Sequence, residues 1–279
     1  MKLKNIILLT GMFLFVLGST VKAQDLISVN DLNKAIMKKS VVVIDARSSK
    51  KFKADAHIKN AVNLAYADLQ QTTPIKGVLK SSADIAKLIG AAGIDGKKPV
   101  VVYDEGSGKY AGRMYWILKY MGVANVKMLD GNIKGWKAGR KPITKNPTMV
   151  KKTTFTPKVN SAVFITMADV KKGGLQLIDA RSAAEFNGSD GKSKGHIPGA
   201  KNIEYKQVMN EDGTMKSAAD LAKVFAGIDK AKPVVVYCET SVRAGIIYLA
   251  LTSVLNYPNV KVFDGAYNEW IAANNTVEK

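Results

Sequence analysis

The sequence contains one cysteine, Cys238, and it stands where a thiol can be made reactive. It follows the run Val234-Val235-Val236-Tyr237 and precedes Glu239-Thr240-Ser241-Val242-Arg243, after which Ala244-Gly245-Ile246-Ile247-Tyr248-Leu249-Ala250-Leu251 has helix composition. A strand, a tight loop and a helix start turn successive backbone N–H groups and the positive end of the helix dipole toward the loop. A thiol at the first loop position lies inside that ring, which favours a thiolate, or a persulfide anion one atom longer. Residues Glu239, Thr240, Ser241, Val242, Arg243 and Ala244 are therefore the candidate anion-binding segment. Arg243 adds a fixed cation whose fork matches a sulfonate or carboxylate. With one thiol no internal disulfide can form, so Cys238 is either an inert core residue or a working nucleophile, and its surroundings favour the second.

The same chemistry serves cysteine phosphatases and arsenate reductases, which place five residues between cysteine and arginine. Here only four intervene, which leaves the ring short for a tetrahedral phosphate.

The elements that must position this loop occur twice. Val41-Val42-Val43-Ile44-Asp45-Ala46-Arg47 recurs as Leu175-Gln176-Leu177-Ile178-Asp179-Ala180-Arg181, and one constant offset relates Asp45 to Asp179, Tyr103 to Tyr237, Asp130 to Asp264 and Trp136 to Trp270. His57-Ile58-Lys59-Asn60-Ala61 likewise pairs with His196-Ile197-Pro198-Gly199-Ala200. A register held this long reads as a duplication. The continuous β-branched runs suit strands buried on both faces. Between them, stretches such as Ala83 to Ile89 or Leu221 to Phe225 carry helical apolar spacing. Strand alternating with helix predicts an α/β fold with parallel sheets. The segment 146–159, rich in Pro, Thr and Lys, reads as a linker between domains at 24–145 and 160–279. Asp179 and Arg181, like Asp45 and Arg47, are expected to brace neighbouring loops. His196 has its counterpart His57 in a domain without cysteine, so packing explains it better than catalysis, and Trp136 and Trp270 read as core.

Residues 1–23 have the make-up of a secretory signal peptide: Lys2 and Lys4, an apolar run from Ile6 to Leu17, then small residues up to Ala23. The run is shorter than the ~20 residues that span a bilayer, so cleavage before Gln24, a periplasmic or secreted protein and no stable membrane insertion are expected. The net charge of +19 draws small anions. The lysines are scattered without an arginine-rich or aromatic-interleaved stretch, which argues against nucleic-acid binding.

Taken together, Asp179-Ala180-Arg181, Gly195-His196-Ile197-Pro198-Gly199-Ala200, the strand ending in Tyr237-Cys238 and Asp264-Gly265 through Trp270 resemble the tandem-domain rhodanese family, which includes thiosulfate and 3-mercaptopyruvate sulfurtransferases. The first copy fits too, with Asp104 in the place of the cysteine. The resemblance implies two tandem rhodanese-like domains, each a mainly parallel sheet with helices on both faces. It also implies that Cys238 takes sulfur from a small anionic donor and passes it to cyanide or a thiol, without cofactor or metal. Mercaptopyruvate-specific members carry arginines between the second Asp-x-Arg and the Gly-His-Ile-Pro-Gly-Ala motif. Here Glu185 stands where an arginine is expected and Lys192 and Lys194 are the cations. That departure puts thiosulfate or a related donor first and makes Lys192 a candidate substrate contact. A 3-mercaptopyruvate sulfurtransferase and a non-enzymatic persulfide carrier serving a protein partner are the alternatives. In the first domain, Lys109 and Arg113 are expected to face the cleft.

Overall fold

The computed structural model describes residues 25–279; the expected signal peptide lies outside the described residues. The first repeat runs β1 (Leu26–Ile27), α1 (Val29–Met37), β2 (Val42–Asp45), α2 (Ser49–Ala54), β3 (His57–Ile58), β4 (Val62–Asn63), α3 (Ser82–Ala91), β5 (Val100–Tyr103), α4 (Lys109–Tyr120), β6 (Val126–Leu129), α5 (Asn132–Ala138) and β7 (Ile143–Thr144). The second runs β8 (Phe164–Ile165), α6 (Met167–Lys171), β9 (Gln176–Asp179), α7 (Ala183–Asn187), β10 (Ala200–Asn202), α8 (Ala218–Val224), β11 (Val234–Tyr237), α9 (Ala244–Leu249), β12 (Val260–Phe263) and α10 (Ala266–Ala272). Their parallel sheets have the same strand order, β1-β6-β5-β2-β4 and β8-β12-β11-β9-β10. The duplication read from sequence is thus a duplication of topology. Among the described residues no helix is long and apolar enough to cross a membrane.

Local chemistry explains the matched boundaries. The runs Val100–Tyr103 and Val234–Tyr237 are buried at every position, and β-branched side chains fill both faces of these central strands. Helix starts repeat as well: Ser28, Ser48 and Ser81, then Thr166, Ser182 and Ser217, each accept a backbone N–H three residues on through the side-chain oxygen, supplying a partner to an otherwise unpaired N–H.

The two repeats pack through α4 and α9, and their facing side chains belong to one continuous core. At the crossing the backbones nearly touch: a Cβ on Gly112 would lie 2.5 Å from the Ile246 nitrogen, and one on Gly245 2.4 Å from the Gly112 carbonyl carbon. Only glycine permits that approach. The contact is reciprocal, since Asp130 accepts the Met215 N–H and Asp264 accepts the Leu79 N–H, each at 2.8 Å. The segment 146–159 forms neither helix nor strand, and its second half is fastened to the first repeat. Thr153 N–H donates to Gly90, Lys158 N–H to Met121, and Phe155 is buried.

Candidate active site

Cys238 continues β11, the middle strand of the second sheet. Its carbonyl accepts the Tyr267 N–H at 3.0 Å and the Glu239 carbonyl accepts the Asn268 N–H at 3.2 Å, so the start of α10 anchors the loop from one side. On another side Ser241, in the left-handed region at φ 57°, donates its hydroxyl to the Phe263 carbonyl at the end of β12. Arg243 then opens α9. The sequence-predicted residues Cys238 to Ala244 are thus one compact turn, with Cys238 wholly buried beneath it. Thr240, Val242 and Arg243 form the floor of a cavity of about 470 Å³, whose walls are Tyr66, Lys109 and Tyr110 from the first repeat and Glu185, Glu204, Tyr205 and Lys206 from the second.

Arg243 does not offer its guanidinium to the cavity as the sequence suggested. Glu185 takes Nη1 at 2.6 Å and Nη2 at 2.7 Å, and Glu239 lies 3.8 Å from Nη2. Burial works against charge on Arg243, but the Glu185 carboxylate and the Cys238 sulfur beside it outweigh that and raise its pKa above the ordinary value. Burial likewise opposes the Glu185 charge, yet Arg243, together with Ser182, holds its pKa down to about 2. Sequence reasoning noted Glu185 only as a departure from an expected arginine and missed its pairing with Arg243. Ser182-x-x-Glu185 is a visible capping box, and both halves of it form at α7. The partner 58 positions later left no sequence signal.

Lys192 lies beside the cavity over the loop, in a neighbouring one that shares Glu185 and Glu239 with it. It stands on the exposed turn after α7 and lines this second cavity, of about 660 Å³, with Pro74, Glu239, Tyr267 and Asn268. Arg113 does not reach the cleft. It is completely buried, with Nη2 2.6 Å from Asp264 and 3.0 Å from the Gly77 carbonyl. Lys109 does line the cavity over the loop.

Arg181 donates from Nε and Nη2 to Asp179 and from Nη2 to the Gly195 carbonyl at 2.9 Å, with its guanidinium 3.9 Å over the Tyr267 ring. His196 stacks on Phe186 with ring centroids 3.6 Å apart, and His57 stacks on Phe52 at 3.9 Å. The same stacking thus occurs in the domain with the cysteine and in the one without it. Trp136 and Trp270 are buried, each donating its indole N–H to a carbonyl.

A profile of the rhodanese-like domain matches residues 28–139 and again 166–273. The chain belongs to the rhodanese-like family. A putative thiosulfate sulfurtransferase of Mycobacterium tuberculosis is 31% identical over 230 residues, covering 77% of this chain and 82% of that one. A 3-mercaptopyruvate sulfurtransferase of Escherichia coli is 31% identical over 251 residues, 82% of this chain and 89% of that one. The crystal structure of SseA, a 3-mercaptopyruvate sulfurtransferase from Escherichia coli, superposes with a TM-score of 0.80 at 29% identity, over 88% of this chain and 99% of that one.

The first rhodanese-like domain shows what its loop is built to hold. Asp104 follows β5 as Cys238 follows β11, and its carboxylate is fully buried. Oδ1 accepts N–H groups from Gly106 at 2.8 Å and Gly108 at 3.1 Å; Oδ2 accepts from Tyr110 at 3.0 Å and Ala111 at 3.2 Å. Burial, with Glu105 close by, raises the Asp104 pKa to about 6 against the pull of those amides. The anion site of this domain is therefore filled by its own side chain.

Proposed function

We propose that the protein is a sulfurtransferase that carries sulfane sulfur on Cys238, with thiosulfate or a related anion as donor and cyanide or a thiol as acceptor. The Cys238 thiolate attacks the outer sulfur of thiosulfate; a new S–S bond forms as the old one breaks, and the bonding pair leaves on sulfite. The acceptor then attacks the terminal sulfur, and Cys238 departs as thiolate, a ping-pong sequence. Arg243 favours the anionic sulfur in both halves, and Glu185 holds the guanidinium in place.

The observation that carries this reading is Asp104. A carboxylate oxygen stands one bond further from the backbone than a cysteine sulfur, at the reach of the terminal atom of a persulfide. In the first domain four N–H groups converge there, whereas the resting Cys238 thiol takes no hydrogen bond from its own loop amides. The corresponding place in the second domain suits the second sulfur.

Intact mass after incubation with thiosulfate tests the reading: one added sulfur atom, absent in Cys238→Ser, is expected, with thiocyanate formed when cyanide follows. Unmodified protein and no thiocyanate from thiosulfate, with no sulfide from 3-mercaptopyruvate and a thiol, would reduce Cys238 to a core residue. Because Cys238 has no exposed surface, its loop must yield to admit the donor, so alkylation should run slower than for an open thiol. Residues 1–23 act as a cleaved export signal in this reading; a mature N-terminus at Gln24 supports it and one at Met1 contradicts it.

A further inference from the structure

We infer that Lys109, from the domain without a cysteine, is the group that receives the donor anion in the cleft over Cys238. The inference rests on the sulfurtransferase reading above and assigns the first domain a share of the active site. Six charged side chains line the cavity over the loop: Lys109, Lys206 and Arg243 against Glu185, Glu204 and Glu239. Arg243 has both Nη groups on Glu185, with Glu239 also within 3.8 Å of it. Lys206 is paired with Glu204 at 3.2 Å. Lys109 is the cation of this lining left without a carboxylate within ion-pair distance among the described residues. Its ammonium sits 4.7 Å over the Tyr110 ring, which also stacks with Tyr66 at 4.4 Å.

Its position in the fold argues the same way. Lys109 is the first residue of α4, a 12-residue helix, and a cation there opposes the positive end of the helix dipole. The Tyr110 ring is the stabilising contact the fold gives this lysine, and the dipole works against it. A dianion entering the cavity gains an ammonium that no carboxylate pairs at ion-pair distance among the described residues, presented half-buried and so with less solvent screening than a surface lysine has. Arg243, already neutralised by Glu185, is kept for the sulfur of Cys238. The division of labour follows: the second domain holds the reacting atom, and the first holds the charge that brings the donor to it.

The test compares wild-type protein with Lys109→Gln and Lys109→Arg, using thiosulfate as donor and cyanide as acceptor. In Lys109→Gln, KM for thiosulfate should rise about ten-fold, the equivalent of losing ~1.4 kcal/mol of binding, with kcat changed less than two-fold. The fall of kcat/KM with added salt should flatten in the same variant, and Lys109→Arg should restore both. A KM and a salt dependence unchanged in Lys109→Gln would overturn the inference, as would an equal loss of kcat in Lys109→Gln and Lys109→Arg. Absence of wild-type turnover with thiosulfate and cyanide, and with 3-mercaptopyruvate and a thiol, would instead remove the sulfurtransferase reading itself.

Discussion

Replacing Asp264 by Asn tests whether the interface between the domains is what holds the catalytic loop. Asp264 is the buried partner of Arg113, with side-chain exposures of 3% and 0% and a separation of 2.6 Å. It also accepts the Leu79 N–H at 2.8 Å. Arg113 in turn holds the Gly77 carbonyl at 3.0 Å, and Gly77 presses on Thr240, where an added Cβ would come within 2.6 Å of the Thr240 Cβ. Removing the carboxylate charge strands a cation that water cannot reach, a loss of roughly 3–5 kcal/mol when a buried pair is broken from one side. The Gly77 carbonyl and the Gln70 amide oxygen, which in its hydrogen-bonding orientation lies 2.9 Å from Nε, keep the expected value near the lower end, about 3 kcal/mol. At a urea dependence of ~3 kcal/mol per molar the unfolding midpoint should fall by about 1 M. Adding Arg113→Met removes the stranded charge, so the double variant should be more stable than the sum of the single effects predicts, by about 2 kcal/mol. Urea unfolding followed by tryptophan fluorescence measures both quantities. A midpoint within about 0.2 M of wild type, or strict additivity in the double variant, would refute the reasoning.

Gly112→Ala should destabilise the protein by about 1–3 kcal/mol, because its methyl meets the Ile246 backbone rather than a side chain that can move; differential scanning calorimetry reads the shift, and an unchanged Tm would contradict the close helix contact. Asp104, raised to about 6 from an ordinary value of 3.8, binds its proton more tightly folded than unfolded. Stability from this group is therefore complete below about pH 4 and lost as pH rises through 6, a difference of roughly 3 kcal/mol. The pH dependence of the urea midpoint between 4 and 7 should flatten in Asp104→Asn, and an unaltered slope would count against the buried charge.

Much of the fold was legible in the chain because its signals are local and occur twice. The runs before Asp104 and Cys238 are buried strands in both repeats, and the repeated Ser or Thr ahead of the helices marks their starts. Asp179 with Arg181 and the paired histidines were read as supports because a motif retained beside Asp104 does not need the thiol, and both pairs have the same buried, bonded surroundings in the two domains. Glu185 was misread for the converse reason. Its capping box is written in four adjacent residues, but the pairing with Arg243 depends on how α7 and α9 approach the same loop. Lys192 was placed by its position between two family motifs and lines a cavity adjoining the one over the loop, whereas Arg113 was expected in the cleft and packing locks it against Asp264.

The sequence by itself determined that there are two copies of one α/β unit, that one copy ends its central strand in the sole thiol, and that the other ends it in an acid. Strand and helix periodicity, side-chain capping and residue identity act over a few positions and need no partner. Only the tertiary structure decided that Arg243 is paired with Glu185, that Asp104 consumes its own loop amides and that Lys109, among the described residues, reaches the cleft without a carboxylate at ion-pair distance. Those outcomes are set by distances between groups far apart in the chain, and electrostatic pairing answers to distance and burial, not to sequence order.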